Sequence, residues 1–330
     1  MSAKREAYLC LSAMLRAREP KLLNNDRAAR MLDAASFEEA AKLLTDSGYA
    51  DMSQMNAKEI EAYLTSRREE IFAELEKLAP DKIILDVFKM KYDYHNAKVI
   101  IKAEAMGQDA KRLMSASGRI APDKLLEIYN EDKISQLPAA FGEALSEAKS
   151  TLARTANPQL ADFILDRADF AEIRAAAKTL GCPFLDGYAN ILTDSTNLKS
   201  AVRTMRMGKD LEFMDSALIP DGSVSTGRIV SAGDKESITA LFANTLLERA
   251  AALGAEAADG GSMTAFELAC DNAVTAYLRT AKLVSYGPEA VIAFLAAVES
   301  EITAVRMILT GRLAGIEPDT IRERLRDMYA

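Results

Sequence analysis

Three observations make this sequence an all-α fold. Apolar residues recur at helical spacing almost everywhere, as in Ile71, Leu75 and Leu78 or Leu241, Leu246 and Leu247. Runs of alternating β-branched residues, the mark of strands, are absent. The chain also repeats itself: Asp93, Asn96, Lys98, Lys102 and Gly107 return 101 residues later as Asp194, Asn197, Lys199, Arg203 and Gly208. The apolar positions between them have drifted while the polar ones keep their register, which points to a duplicated helical unit.

The longest helical patterns come in pairs, about 56–78 with 81–106, 158–180 with 183–207, and 262–286 with 288–312. A proline divides each pair, at Pro80, Pro183 and Pro288. Its fixed φ and missing N–H suit the first turn of a second helix and not the middle of one. Short connections of this kind predict antiparallel hairpins packed into bundles. Each second helix runs into a glycine suited to a left-handed cap, Gly107, Gly208 and Gly311. Arg306 stands five residues before Gly311, as Lys102 and Arg203 stand before their glycines, while Glu299 and Glu301 miss the Asp and Asn positions. An Ile-Pro-Asp element follows each glycine, at Ile120-Ala-Pro122-Asp123, Ile219-Pro220-Asp221 and Ile316-Glu-Pro318-Asp319, the first and last starting a short helix. The reading is three helical repeats, 1–120, 121–222 and 223–330. Loops are expected at Ser115–Ala121, Asp221–Asp234 and Gly254–Ser262, the last flexible.

Charge and composition exclude several classes. At 330 residues and a formal net charge of −8, the chain has no basic block able to neutralise a run of phosphates, which argues against a nucleic-acid partner. The longest pure apolar run, Ala290–Val298, is nine residues, against about 20 for a membrane-spanning helix. The opening residues carry charges throughout, unlike a secretory signal, so the expected location is the cytoplasm. Cys10, Cys182 and Cys270 are odd in number and far apart, which suggests buried reduced thiols and neither a disulfide framework nor a zinc site.

On a helix, Asp93 and Asn96 share one face, and Lys98 and Lys102 another. Asp93, Asn96, Asp194, Asn197, Glu299 and Glu301 are read as a structural polar network, and Lys98, Lys102, Lys199, Arg203 and Arg306 as an outward-facing basic stripe. Catalysis finds little support: His95 is the only histidine and belongs to no catalytic motif, and no nucleophile elbow, zinc-protease helix or phosphate-cradling loop occurs. Asp162, Asp166 and Asp169, loosely echoed by Glu267 and Asp271, could hold a divalent metal for hydrolysis, but Arg167 and Arg174 make an ion-paired surface the simpler reading. No cofactor, metal or small-molecule substrate is expected. The residues alone also admit a helical-repeat scaffold of an unrelated complex.

The segment from Lys91 through Asp93, His95, Asn96, Lys98 and Lys102 to Gly107, the echo Asp194–Arg203, and the ending from Glu299 and Glu301 through Arg306 to Gly311 closely resemble the C subunit of bacterial and archaeal V/A-type ATPases. That protein is the counterpart of the d subunit of eukaryotic V-ATPases. The resemblance covers nearly the whole chain. It implies a funnel of three similar helical lobes around a pseudo-threefold axis, seated on the membrane proteolipid ring and receiving the central stalk (D/F-type subunits) in its mouth. It further implies a peripheral, non-catalytic component that transmits torque between ATP hydrolysis or synthesis and proton or sodium transport. In this frame the basic stripe becomes a candidate stalk interface. The missing Asp and Asn of the third box put strict threefold equivalence in doubt.

Overall fold

A computed structural model describes residues 4–330, and among them the regular structure is entirely helical. The chain runs through α1 (Leu9–Arg18), α2 (Asn25–Asp33), α3 (Phe37–Lys42) and α4 (Ala57–Leu78). It continues with α5 (Ile83–Met106), α6 (Pro122–Asn130), α7 (Ala139–Thr155), α8 (Pro158–Leu180), α9 (Pro183–Arg206), α10 (Leu211–Ala217) and α11 (Thr226–Ala232). It closes with α12 (Lys235–Leu241), α13 (Glu248–Ala258), α14 (Met263–Arg279), α15 (Pro288–Leu313) and α16 (Pro318–Arg322). These helices divide into two compact units, one built from Ile83–Gly233 and one from the segments on either side of it in sequence.

In the Ile83–Gly233 unit, α7 and α8 form a hairpin, and α5 lies along α8. Asn157 caps α8 by accepting from the Gln159 N–H, and Pro158 takes its first turn, where a missing N–H costs nothing. Gly181, at φ 64°, ends α8 in the left-handed region, and Pro183 opens α9 two residues on, giving the expected second hairpin. The core joins Tyr94, Ile100 and Ile101 of α5 to Leu125 and Ile128 of α6, Phe141 and Leu145 of α7, and Leu165 of α8. The Tyr94 and Phe141 rings meet edge to face at 5.0 Å between centroids.

In the two-segment unit, α15 is the central element, with α1, α2, α3 and α4 all packed on it. The run Ala290–Val298 is buried all round, so its unbroken apolar character reflects a core helix. No helix among the described residues is long and apolar enough to cross a membrane. A capping box starts α4: Asn56 accepts from Glu59 N–H, and the Glu59 carboxylate accepts from Asn56 N–H. Elsewhere in this unit, α13 packs against both α12 and α14.

Five expectations are corrected. The expected loop Asp221–Asp234 contains a short helix, α11, over Thr226–Ala232. The first long pair is not one hairpin, because α4 and α5 belong to different units. α14 stops at Arg279, gives way to a 3₁₀ turn, and lies mainly on α13 instead of pairing along α15. Gly311 is an interior residue of α15, and the left-handed cap is Gly315 at φ 71°. The expected loop Gly254–Ser262 is helical through Ala258, because its alanines favour helix more than its single early glycine opposes it.

Candidate functional site: repeated polar clamps and an ion-pair seam

The cap glycines set the register of the site. After α5, α9 and α15 the chain turns back through the same pair of hydrogen bonds: Gly107 N–H to Glu104 O and Gln108 N–H to Ala103 O, Gly208 to Met205 and Lys209 to Thr204, Gly315 to Arg312 and Ile316 to Gly311. Counted back from these glycines, Glu301 falls on the position of Asp93 and Asp194, and Arg306 on that of Lys98 and Lys199. Ala304 takes the asparagine position, and Thr310 that of Lys102 and Arg203. The offset read from Gly311 is therefore wrong by four residues, about one helical turn.

Each asparagine clamps the returning segment. Asn96 Oδ1 accepts from Ser115 N–H at 2.7 Å while its Nδ2 donates to Ser115 O at 2.8 Å. Asn197 does the same to Ile219, both bonds at 2.8 Å. Both asparagines are wholly buried, so every polar atom of the amide needs a partner. A carboxyl three residues earlier fixes the loop further along. Asp93 accepts from the N–H groups of Arg119 (2.9 Å) and Ile120 (3.1 Å) and from Arg119 Nε (2.6 Å). The Arg119 guanidinium also reaches both carboxylate oxygens of Glu172 on α8 at 3.2 Å. Asp194 accepts from Val224 N–H at 3.3 Å and from Ser223.

Burial pushes both aspartates upward, and these donors offset only part of that rise. Gly118 and Gly222 let the loops approach: a Cβ on either would overlap the Oδ1 of Asp93 or Asp194.

The third carboxyl finds its loop elsewhere in the chain. Glu301 accepts from Leu23 N–H and from Tyr49 OH, both at 2.5 Å. Leu23 lies just before α2, much as Ile120 lies before α6 and Val224 before α11. The glutamate is buried and pushed upward by that burial. Glu299 pairs with Arg68 of α4 at 2.5 Å, and the Arg68 guanidinium lies 4.0 Å from the Phe72 ring centroid.

The basic stripe meets acids of neighbouring helices. Lys98 Nζ lies 2.7 Å from Asp166 and Lys102 Nζ 2.7 Å from Asp162, so α5 and α8 run antiparallel with a ladder of charge between them. Arg306 holds Glu61 of α4 through two bonds at 2.5 and 3.0 Å. Lys199 and Arg203 of α9 are engaged as well. Arg167 and Arg174 do not pair with the aspartate cluster. Arg167 donates to the carbonyls of Asp215, Ser216 and Leu218 at the end of α10, and Arg174 to Asn190 and Thr193.

His95 Nε2 sits 3.1 Å from Leu113 O on the exposed side of α5. Cys182 and Cys270 are buried thiols, but Cys10 is exposed, because it lies outside the buried positions of α1 at Leu11, Ser12 and Leu15. Among the described residues no group of His, Cys, Asp and Glu is arranged to hold a metal ion.

Sequence reasoning finds the clamping residues on the helices and misses what they clamp. Gly118 and Gly222, each a few residues before the following short helix, are the available signal. Leu23 and Tyr49 carry none, since nothing local ties them to a glutamate 278 and 252 residues away.

A sequence profile of the ATP synthase (C/AC39) subunit matches residues 11–324. The C subunit of the V-type sodium ATPase of Enterococcus hirae is 25% identical over 329 residues, which is 98% of this chain and 99% of that protein. The C subunit of the A-type ATP synthase of Methanocaldococcus jannaschii is 24% identical over 344 residues, 96% of this chain and 86% of that protein. Its namesake in Pyrococcus abyssi is 20% identical over 349 residues, 97% and 90% respectively. A match running through all the clamps and both units fixes the assignment: the chain belongs to the ATP synthase (C/AC39) subunit family.

Proposed function

We propose that this chain is the non-catalytic central-rotor adaptor of a V/A-type ATPase, joining the central stalk to the membrane proteolipid ring. The observation that carries the reading is the family match over residues 11–324, with relatives named as the C subunits of a V-type sodium ATPase and of A-type ATP synthases. A torque adaptor needs stiffness more than chemistry. Buried asparagine and carboxylate clamps supply it, because each ties a loop to a long helix through side chains buried in the helix packing. The three-lobed funnel, the division into repeats 1–120, 121–222 and 223–330, and a cytoplasmic position peripheral to the membrane belong to the same proposal.

The stalk contact is assigned to the stripe of Lys98, Lys102, Lys199, Arg203 and Arg306. Lys102 and Arg306 keep 50% and 37% of their side chains open to solvent while ion-paired. Half-open cations of this kind can accept a second acidic partner without losing the first.

A tagged pull-down from mildly solubilised membranes tests the proposal. Stalk, proteolipid and catalytic ATPase subunits should co-purify in one complex, and recovery of none of them from membranes holding the assembled enzyme overturns the adaptor role. Replacing Lys102, Arg203 and Arg306 together by alanine should weaken stalk capture while helicity stays intact. Unchanged capture removes the stripe from the interface.

A further inference from the structure

The α5–α8 seam contains one carboxyl that its ladder leaves out. Asp162 and Asp166 each hold a lysine of α5, and Glu172 holds Arg119. Asp169, between them on α8, has a buried Oδ1 with no hydrogen-bond partner, while Asp162, Asp166 and Glu172 of the same helix each hold a cation.

We propose that Asp169 is a proton-operated latch of this seam, its two states differing in which carboxylate holds Lys98. With Asp169 neutral, Lys98 stays on Asp166 as observed. With Asp169 ionised, a charge with one oxygen buried and unpartnered sits at the seam, and Lys98 is the cation that acts on it most strongly. Drawing Lys98 across leaves Asp166 unpaired, so the ladder loosens by one rung.

The surroundings fit this competition. Facing Asp169 are Lys98, Lys91 and the Tyr94 hydroxyl from α5 and Asp166 and Glu172 from its own helix. Arg119 of the clamped loop is already committed to Asp93 and Glu172. None of the larger influences on Asp169 comes from α7, α9 or α10, the other helices packed on α8. Burial above all, opposed by Lys98 and Lys91 and assisted by Asp166 and Glu172, pushes the Asp169 carboxyl up to about 7.

An unfolded or opened chain releases the same proton near pH ~4. Between those values the closed state binds more protons than the open one, so closure weakens as pH rises through the window.

The test is carried out on the full chain. Carboxyl carbon NMR should show Asp169 titrating near neutrality. Corrected hydrogen-exchange rates of the α5 and α8 amides should rise about tenfold from pH 6 to pH 8, and Asp169→Asn should flatten that rise. In Asp166→Asn, which frees Lys98, the Asp169 titration should move down by about one pH unit or more. Titration of Asp169 near pH ~4 in the unmodified chain, or an undiminished exchange rise in Asp169→Asn, overturns the latch. Should a variant fail to fold, the titration of the unmodified chain decides alone.

Discussion

The two asparagine clamps share one geometry but not one environment, and that difference makes a prediction. Ile219 is buried, whereas Ser115 lies partly open to water. Removing the Asn197 amide strands a buried N–H and a buried carbonyl, each worth about 1–3 kcal/mol. At Ser115 water can replace part of the loss. Asn197→Ala should therefore cost roughly 3 kcal/mol, and Asn96→Ala clearly less, as read from urea unfolding midpoints. A methyl group at Gly118 or Gly222 would overlap the clamping carboxylate itself, so Gly118→Ala and Gly222→Ala should each cost about 2 kcal/mol through forced opening of the clamp. A cost no larger than that of an ordinary surface substitution would show that the loops re-seat without the aspartates. The clamping side chains are legible because polar residues at fixed spacing stand out from drifting apolar ones. Their targets are not, because a backbone N–H has no identity in the sequence.

At the scale of elements, the third cap shows where reading from sequence fails. Gly311 and Gly315 stand four residues apart, one turn, and either could end a helix by type alone. Tertiary packing separates them: a Cβ at Gly311 would lie 2.8 Å from the Ile321 side chain of α16, while Gly315 faces open space but needs a positive φ. Two glycines, then, serve two purposes. Gly315→Ala should cost about 1 kcal/mol, through left-handed strain alone. Gly311→Ala should act by displacing α16, so its cost should nearly vanish in a background where Ile321 is already alanine, which a double-mutant cycle would measure. The long helices and their prolines are readable from periodicity and turn chemistry. Their partners are not, since a helix shows which face is apolar but not which other helix covers it. That is why sequence alone pairs α4 with α5 when it packs on α15.

For the whole molecule, the repeats are readable in sequence as a linear series, yet the third carboxyl fastens to a loop near the start of the chain. The Ile83–Gly233 unit has its own buried core and lies in one continuous stretch. Expressed alone, it should give a single cooperative urea transition with native-like helicity, whereas the segment ending at Lys82 should not, because α1, α2, α3 and α4 all bury their apolar faces on α15. A cooperative transition from that leading segment would mean those helices find a core among themselves. The order of synthesis then acquires a consequence. On the ribosome the first helices to emerge are among the last to be completed, since Leu23 and Tyr49 wait for Glu301. Throughout translation of the middle of the chain, their apolar faces stay exposed to whatever the cell offers. A nascent chain of this design should therefore depend on chaperone holding of its leading segment, and a stop codon just before α15 should leave a folded middle flanked by aggregation-prone ends.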